Sequence, residues 1–264
     1  MILSIIKSKT FKKVALYALS IIVLYLVSLV FSLVVNNSII LPSPNETIST
    51  FFSLLTKGTT YIYLINTLKS LLISLVISFF IGLVLGVLAG INENIRVFLK
   101  PWITIMRSFP LAAIIILILV IAGFKNTPYI VTTFVLAPII YEAVSNGITN
   151  IDQTLIDTYK LESKINFNII KRVYIPLISS SIKAAFSSAV GLGIKVLIMA
   201  EFLAGSSNSL GYAIKPAADN LNYAEVYAYC IIIIIIVLLI EALPKLIIKL
   251  IDYISLKRRN KKSA

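Results

Sequence analysis

Three ionisable residues stand inside or at the edge of otherwise apolar stretches and set the range of chemistry open to this chain: Arg107, Lys195 and Glu201. A charge in hydrocarbon is costly, so such groups face a cavity or a partner rather than lipid tails. Lys195 on a path across the membrane would favour an anionic solute, while snorkelling or pairing with another helix accounts for it equally. Glu201, near the external end of its span, suits a structural role at a gate or a contact with an external protein. Arg107, near the cytoplasmic side of its span, suits a pathway role or a headgroup contact. Lys195 and Glu201 are six residues apart, about 9 Å along a helix and about 240° around it, so they are not a natural pair. The chain has no His and one Cys, Cys230, which excludes disulfide frameworks and His/Cys metal sites. It also lacks G-x(4)-G-K-[ST], so it has no phosphate cradle, cannot be an ATPase and is expected to hold no cofactor.

The elements that must position these groups are membrane helices. A hydrophobic share of 59% and a mean hydropathy of +0.98 far exceed those of a soluble domain of 264 residues. The apolar run 14–35 is longer than the core of a signal peptide and lacks a small-residue cleavage site, so it reads as a span. Further spans are predicted over 61–89, 101–123, 129–147, 184–204 and 223–251. Residues 36–60 form an external connection with Leu41–Pro44 extended, 123–128 a short external turn, and 205–222 an external loop with a short helix from Tyr212. Nineteen of the 24 Lys and Arg residues fall in the internal segments of this scheme or at the cytoplasmic ends of its spans, and three, Lys57, Lys125 and Lys215, in external segments. That bias puts both termini inside. A net charge of +13 so distributed is a topology signal and a lipid-headgroup contact, not a nucleic-acid footprint.

In the second span Ser70, Ser74, Ser78, Gly82, Gly86 and Gly90 recur at every fourth residue. Small residues at that spacing let another helix approach closely, either within the chain or at a subunit interface, and packing within the chain is the commoner cause. The longest polar segment, 152–176, is internal. Asp152 and Gln153 can cap one short helix running to about Leu161; Ser163 or Asn166 can cap a second that stops at Pro176.

That segment resembles the cytoplasmic signature of binding-protein-dependent ABC import permeases, E-A-A-x-x-x-G-x(9)-I-x-L-P. Asp157, Thr158 and Tyr159 stand at the E-A-A positions, Ser163 at the glycine, and Val173, Ile175 and Pro176 at the end. Upstream, Glu142-Ala143-Val144 with Gly147 begins in a similar way, but Lys160 occupies the position of the proline. Further stretches look like the nitrate/sulfonate/taurine-type subfamily: Leu41–Pro44, Thr67–Leu71, Arg107–Pro110, Ala200-Glu201, and Leu210-Gly211-Tyr212, with Ser209 in place of a usual glycine.

The resemblance implies an all-α polytopic permease with six spans and a cytoplasmic coupling loop, like the membrane subunits of type I ABC importers. It divides the chain into a cytoplasmic segment 1–13, a six-helix permease domain 14–254 with its coupling loop at 148–180, and a basic cytoplasmic tail 255–264. Asp157, Thr158, Tyr159, Lys160, Ser163 and Pro176 would couple to an ATPase, and Arg107, Lys195 and Glu201 would belong to the pathway or gate. Two cytoplasmic ATP-binding cassette subunits that hold ATP and Mg, an external substrate-binding protein and a second permease copy are the implied partners, with a small anionic solute as cargo. A thiamine-pyrimidine precursor or riboflavin-like solute is the alternative cargo. An ATP-independent channel or secondary carrier, or a membrane scaffold, is the alternative class.

Overall fold

The computed structural model describes residues 2–37, 40–152 and 169–262. Its helices are α1 (Ile2–Val35), α2 (Pro44–Thr56), α3 (Gly58–Ile91), α4 (Glu93–Ser108), α5 (Leu111–Thr149), α6 (Ser179–Ala204), α7 (Leu210–Asp219) and α8 (Tyr223–Lys262). Among the described residues there is no strand, as an all-α reading requires. Among the described residues four helices are long and apolar enough to cross a membrane, Gly58–Ile91, Leu111–Thr149, Ser179–Ala204 and Tyr223–Pro244, and Leu19–Val35 is a shorter apolar stretch.

The expected third span, 101–123, is broken at Phe109 and Pro110: its first residues end α4, while 111–122 and the expected fourth span form two arms of α5, hinged at one residue. Gly123 has φ 73° and ψ 170°, a conformation essentially restricted to glycine. Ile115 and Val131 share one buried cluster with Val196 and Ala200 of α6, although an unbroken helix would hold them about 24 Å apart. Arg107, just ahead of α5, pairs with Glu142, which an unbroken α5 would carry about 46 Å from its start. The chain therefore turns back at Gly123. The orphaned carbonyls of the turn are met locally: Asn126 Nδ2 donates to the Ala122 carbonyl at 3.2 Å, and Thr127 Oγ1 to the Gly123 carbonyl at 2.8 Å. The expected turn over 123–128 thus shrinks to one glycine, and Pro128 lies inside the second arm. The first arm, residues 111–122, is about 18 Å long, shorter than a hydrocarbon core of about 30 Å.

The small-residue stripe of α3 packs within the chain. A Cβ on Gly82 would meet the Ile140 Cβ at 2.7 Å, one on Gly86 the Val144 Cβ at 2.7 Å, and one on Gly90 the Ile148 Cβ at 2.7 Å. Both partners of each contact advance together, so α3 and the second arm of α5 run parallel in one register. Higher up, the Ser70 hydroxyl donates to Tyr129 Oη at 3.0 Å. Gly147 against Ile178 and Gly193 against Leu136 run the opposite way, so α6 is antiparallel to that arm. Leu136, Ile140, Val144, Ile194 and Leu197 lie at the centre of the core that results.

Backbone contacts divide the chain into two units, Met1–Tyr61 with Ile214–Ile232, and Ile62–Ala213 with Ile233–Ala264. In the first, the expected connection 36–60 is largely helix α2. Ser43 is its N-cap, extended at φ −65° and ψ 151°, and Pro44 opens the helix. The Glu46 amide donates to Ser43 Oγ at 3.2 Å while Glu46 Oε2 accepts from the Ser43 amide at 3.0 Å, a reciprocal capping box. The Tyr25 hydroxyl of α1 donates to Asn45 Oδ1 at 3.0 Å, and Lys57 lies 3.8 Å from Glu225 of α8.

A helix stopping at Pro176 is expected, but the structure has a π-helical turn, Ile170–Tyr174, followed by a short turn, Ile175–Leu177, with Pro176 in its opening residues. The chain is helical on both sides of Pro176, with Tyr174 and Ile175 in the right-handed α region, so it passes through the proline toward α6. The fifth span accordingly starts at Ser179 rather than 184. The expected helix over 152–161 and its proposed successor's caps fall outside the described residues, as do Asp157, Thr158, Tyr159, Lys160 and Ser163.

Candidate functional site

The candidate pathway residues are each held by a partner from a different helix. Glu201 is the most enclosed, at 1% exposure in the last turn of α6. Its Oε2 accepts from the Thr67 hydroxyl of α3 at 2.9 Å and from the Gly211 amide of α7 at 3.2 Å. Thr67 Oγ1 in turn accepts from the Leu210 amide at 3.0 Å, and Asn66 Nδ2 donates to the Asn208 carbonyl at 2.9 Å. A buried carboxylate demands such donors, since an unpaired one would be far more costly than the bonds themselves.

The backbone is shaped to deliver them. Gly205 ends α6 in the left-handed region at φ 67°, and its amide and that of Ser206 close the last turn. The Ser209 hydroxyl, standing where glycine was the usual residue, accepts from the Tyr212 amide at 3.2 Å and starts α7. The expected short helix from Tyr212 therefore begins two residues earlier, at Leu210. At Gly211 a Cβ would sit 2.4 Å from the Ile198 carbonyl oxygen and 2.7 Å from the Glu201 Cβ, so only glycine brings α7 onto α6. Thr67, Glu201 and Gly211, from three separate sequence motifs, are one hydrogen-bonded knot.

Arg107 occupies the opposite end of the helices, where its guanidinium is ion-paired with the Glu142 carboxylate of α5. This pair borders a cavity of about 790 Å³ lined also by Asn146, Asn150, Asp152, Ser181 and Ser188. Lys195 lies between the two ends and is paired with Glu241 of α8, Nζ to Oε1 2.6 Å, with the Lys195 side chain 57% exposed and that of Glu241 32%. Of the interpretations open to Lys195, pairing with another helix is the one present. Pro176 lies exposed in the turn leading to α6. Arg107, Lys195 and Glu201 do not meet one another; they mark successive levels along the helices.

The partners Glu142, Glu241 and Thr67 were not singled out as site residues from sequence. Thr67 and Gly211 were visible as members of motifs, and Glu142 only as the start of an imitation of the coupling signature. Glu241 had one signal, an acid in the apolar middle of an Ile-rich span. Among the described residues no three His, Cys, Asp or Glu side chains gather as a metal site.

Long apolar helices joined by polar pairs, with short amphipathic helices at their ends, define a multi-pass integral membrane protein. The chain belongs to the family of binding-protein-dependent transport system inner membrane components, whose model matches residues 82–253. The motifs at Leu41–Pro44 and Thr67–Leu71 precede that match. The chain is 28% identical over 124 residues to probable ABC transporter permease proteins of Brucella melitensis biotype 1 and of Brucella abortus strain 2308, over 46% of its own length. It spans about half the length of these curated relatives, 50% and 49%. In fold it is similar to inward-facing conformations of the MetNI methionine ABC transporter, with TM-scores of 0.59 for the native and 0.56 for the SeMet soak crystal form. Both likenesses cover 74% of this chain and 98% of the other at 18% identity, and they bear on fold alone.

Proposed function

We propose that this chain is the permease subunit of an ATP-driven importer, which moves a small solute bearing an anionic group handed over by an external binding protein. The observation that carries this reading is the family match over 82–253, inside which the polar segment 152–176 connects α5 and α6, two helices that share one buried core. Asp157, Thr158, Tyr159, Lys160, Ser163 and Pro176 seat that segment in a cleft of a cytoplasmic ATP-binding cassette subunit. Two copies of the chain, with both termini cytoplasmic, meet two such subunits, which bind ATP and Mg.

The packing supports a lever. Close glycine contacts join α3 to α5, and α6 to α5, so displacing the segment moves the three helices together rather than bending one of them. ATP-driven closure of the ATPase pair would draw the two segments together and open the path outward. The Glu201 knot serves as the fixed corner of the gate, with Arg107 and Lys195 on the path below it. The anionic group rests on the nitrate/sulfonate/taurine resemblance.

The test is uptake by proteoliposomes holding the purified complex and its binding protein, with labelled nitrate, 2-aminoethanesulfonate or a thiamine-pyrimidine precursor. The reading expects uptake that requires Mg-ATP and the binding protein. Solute flux through this chain alone, without ATP, would replace it with a channel or carrier.

A further inference from the structure

From Ser188 to Phe202 the exposed side chains of α6 keep to one face. At about 100° per residue, Ser181, Ser188, Leu192, Lys195, Met199 and Phe202 fall within about 40° either side of one line. Ser181 and Ser188 line the cavity of about 790 Å³, and Leu192, Lys195, Met199 and Phe202 continue from it as exposed side chains. On the reverse face, Val190, Ile194 and Leu197 are buried against the rest of the helices. Two turns separate Ser188 from Lys195, with Leu192 between them, so the same face of α6 runs from the cavity to the Lys195–Glu241 pair. A charge more than half exposed in a membrane helix does not face lipid tails at low cost; it faces water or polar groups.

We infer that this face of α6 lines the solute path and that Lys195 and Glu241 are its recognition pair, selecting a small zwitterion with an ammonium as well as an anionic group. The inference rests on the permease reading for the claim that a solute travels the path. A lone anion taking Lys195 leaves Glu241 uncompensated in the membrane, and a lone cation taking Glu241 strands Lys195; either outcome is strongly unfavourable. A zwitterion exchanges one ion pair for two and strands neither. The backbone accommodates the pair: a Cβ on Gly191, one turn before Lys195, would meet the Glu241 Cγ at 3.2 Å, so glycine lets that side chain lean onto α6.

The test uses the full complex in a Cys230→Ala background, with Ser188→Cys, Met199→Cys and, as a buried control, Val190→Cys. The probes are membrane-impermeant methanethiosulfonates bearing a sulfonate or a trimethylammonium group. The stripe cysteines should react about tenfold faster than the control, as water access to one face requires. At the Met199→Cys position, Lys195→Met should favour the cationic probe by about tenfold and Glu241→Gln the anionic one, since each leaves a single nearby charge. Millimolar 2-aminoethanesulfonate should slow that reaction about threefold, while ethanesulfonate and ethylamine, its two halves, should not, because each strands a charge. Stripe cysteines no faster than the control, no protection by the zwitterion, or equal protection by ethanesulfonate would each overturn the inference. Labelling and protection that hold in a complex whose uptake ignores ATP would keep the path and its pair while removing the ATP-driven reading.

Discussion

The Glu201 carboxylate at the end of α6 accepts the Thr67 hydroxyl of α3 at 2.9 Å, joining helices more than a hundred residues apart in the chain. Because the same oxygen takes the Gly211 amide, α3, α6 and α7 are tied at one point.

Removing the acceptor should be costly. Glu201→Ala strands the Thr67 hydroxyl and the Gly211 amide, at about 1–3 kcal/mol for each unsatisfied group. Thermal unfolding in detergent should show a clear fall in Tm for this variant and a smaller one for Glu201→Gln, which keeps an acceptor oxygen. Equal Tm values for Glu201→Ala and the native chain would show that the knot bears no weight.

The helix interface formed by Gly82, Gly86 and Gly90 makes a graded prediction. In Gly86→Ala the new methyl would stand 2.7 Å from the Val144 Cβ and 2.9 Å from the Tyr141 carbonyl oxygen. Overpacking of this kind is worth about 1–3 kcal/mol. Gly58→Ala, with nothing within 4 Å, is the matched control and should leave Tm unchanged.

Reversal of the chain at Gly123 is testable by proximity. With Cys230→Ala as background, Arg107→Cys with Glu142→Cys should cross-link through a short bifunctional reagent, whereas an unbroken α5 would keep them tens of ångströms apart. Gly123→Ala, forced to φ 73°, should destabilise the fold by about 1–3 kcal/mol, read as a lower Tm.

The Arg107–Glu142 pair should matter to transport rather than to stability. Its side chains are 53% and 36% exposed, and exposed pairs contribute about 0–1 kcal/mol. Arg107→Glu alone should therefore lower ATP-driven uptake at nearly unchanged Tm, and Arg107→Glu with Glu142→Arg should recover it. Uptake insensitive to both changes would remove this pair from the pathway.

Much of this architecture was legible in the sequence because hydropathy and small-residue spacing are local signals. The stripe from Ser70 to Gly90 announced a close helix contact but not its partner, since Ile140, Val144 and Ile148 carry no mark of their own. The hairpin was visible as two spans, yet its turn was drawn six residues long; nothing local told that Gly123 alone would reverse the chain and that Pro128 would be helical. Residues 36–60 read as a connection because two prolines dominate them, while the box formed by Ser43 and Glu46 makes Pro44 a helix opener. Lys195 and Arg107 were recognisable as costly charges, but their partners lie 46 and 35 residues away and pairing across helices leaves no periodic trace.

Coupling of the segment 152–176 to a separate ATPase is what the proposed transport cycle stands on. Its most direct test is to purify the tagged chain from membranes in mild detergent, beside a variant carrying Asp157→Ala and Tyr159→Ala, and to identify by mass every protein that accompanies each. A soluble protein with a phosphate-loop sequence should accompany the native chain and be lost from the variant. A native chain that purifies without such a protein and still passes solute in vesicles lacking ATP would contradict it.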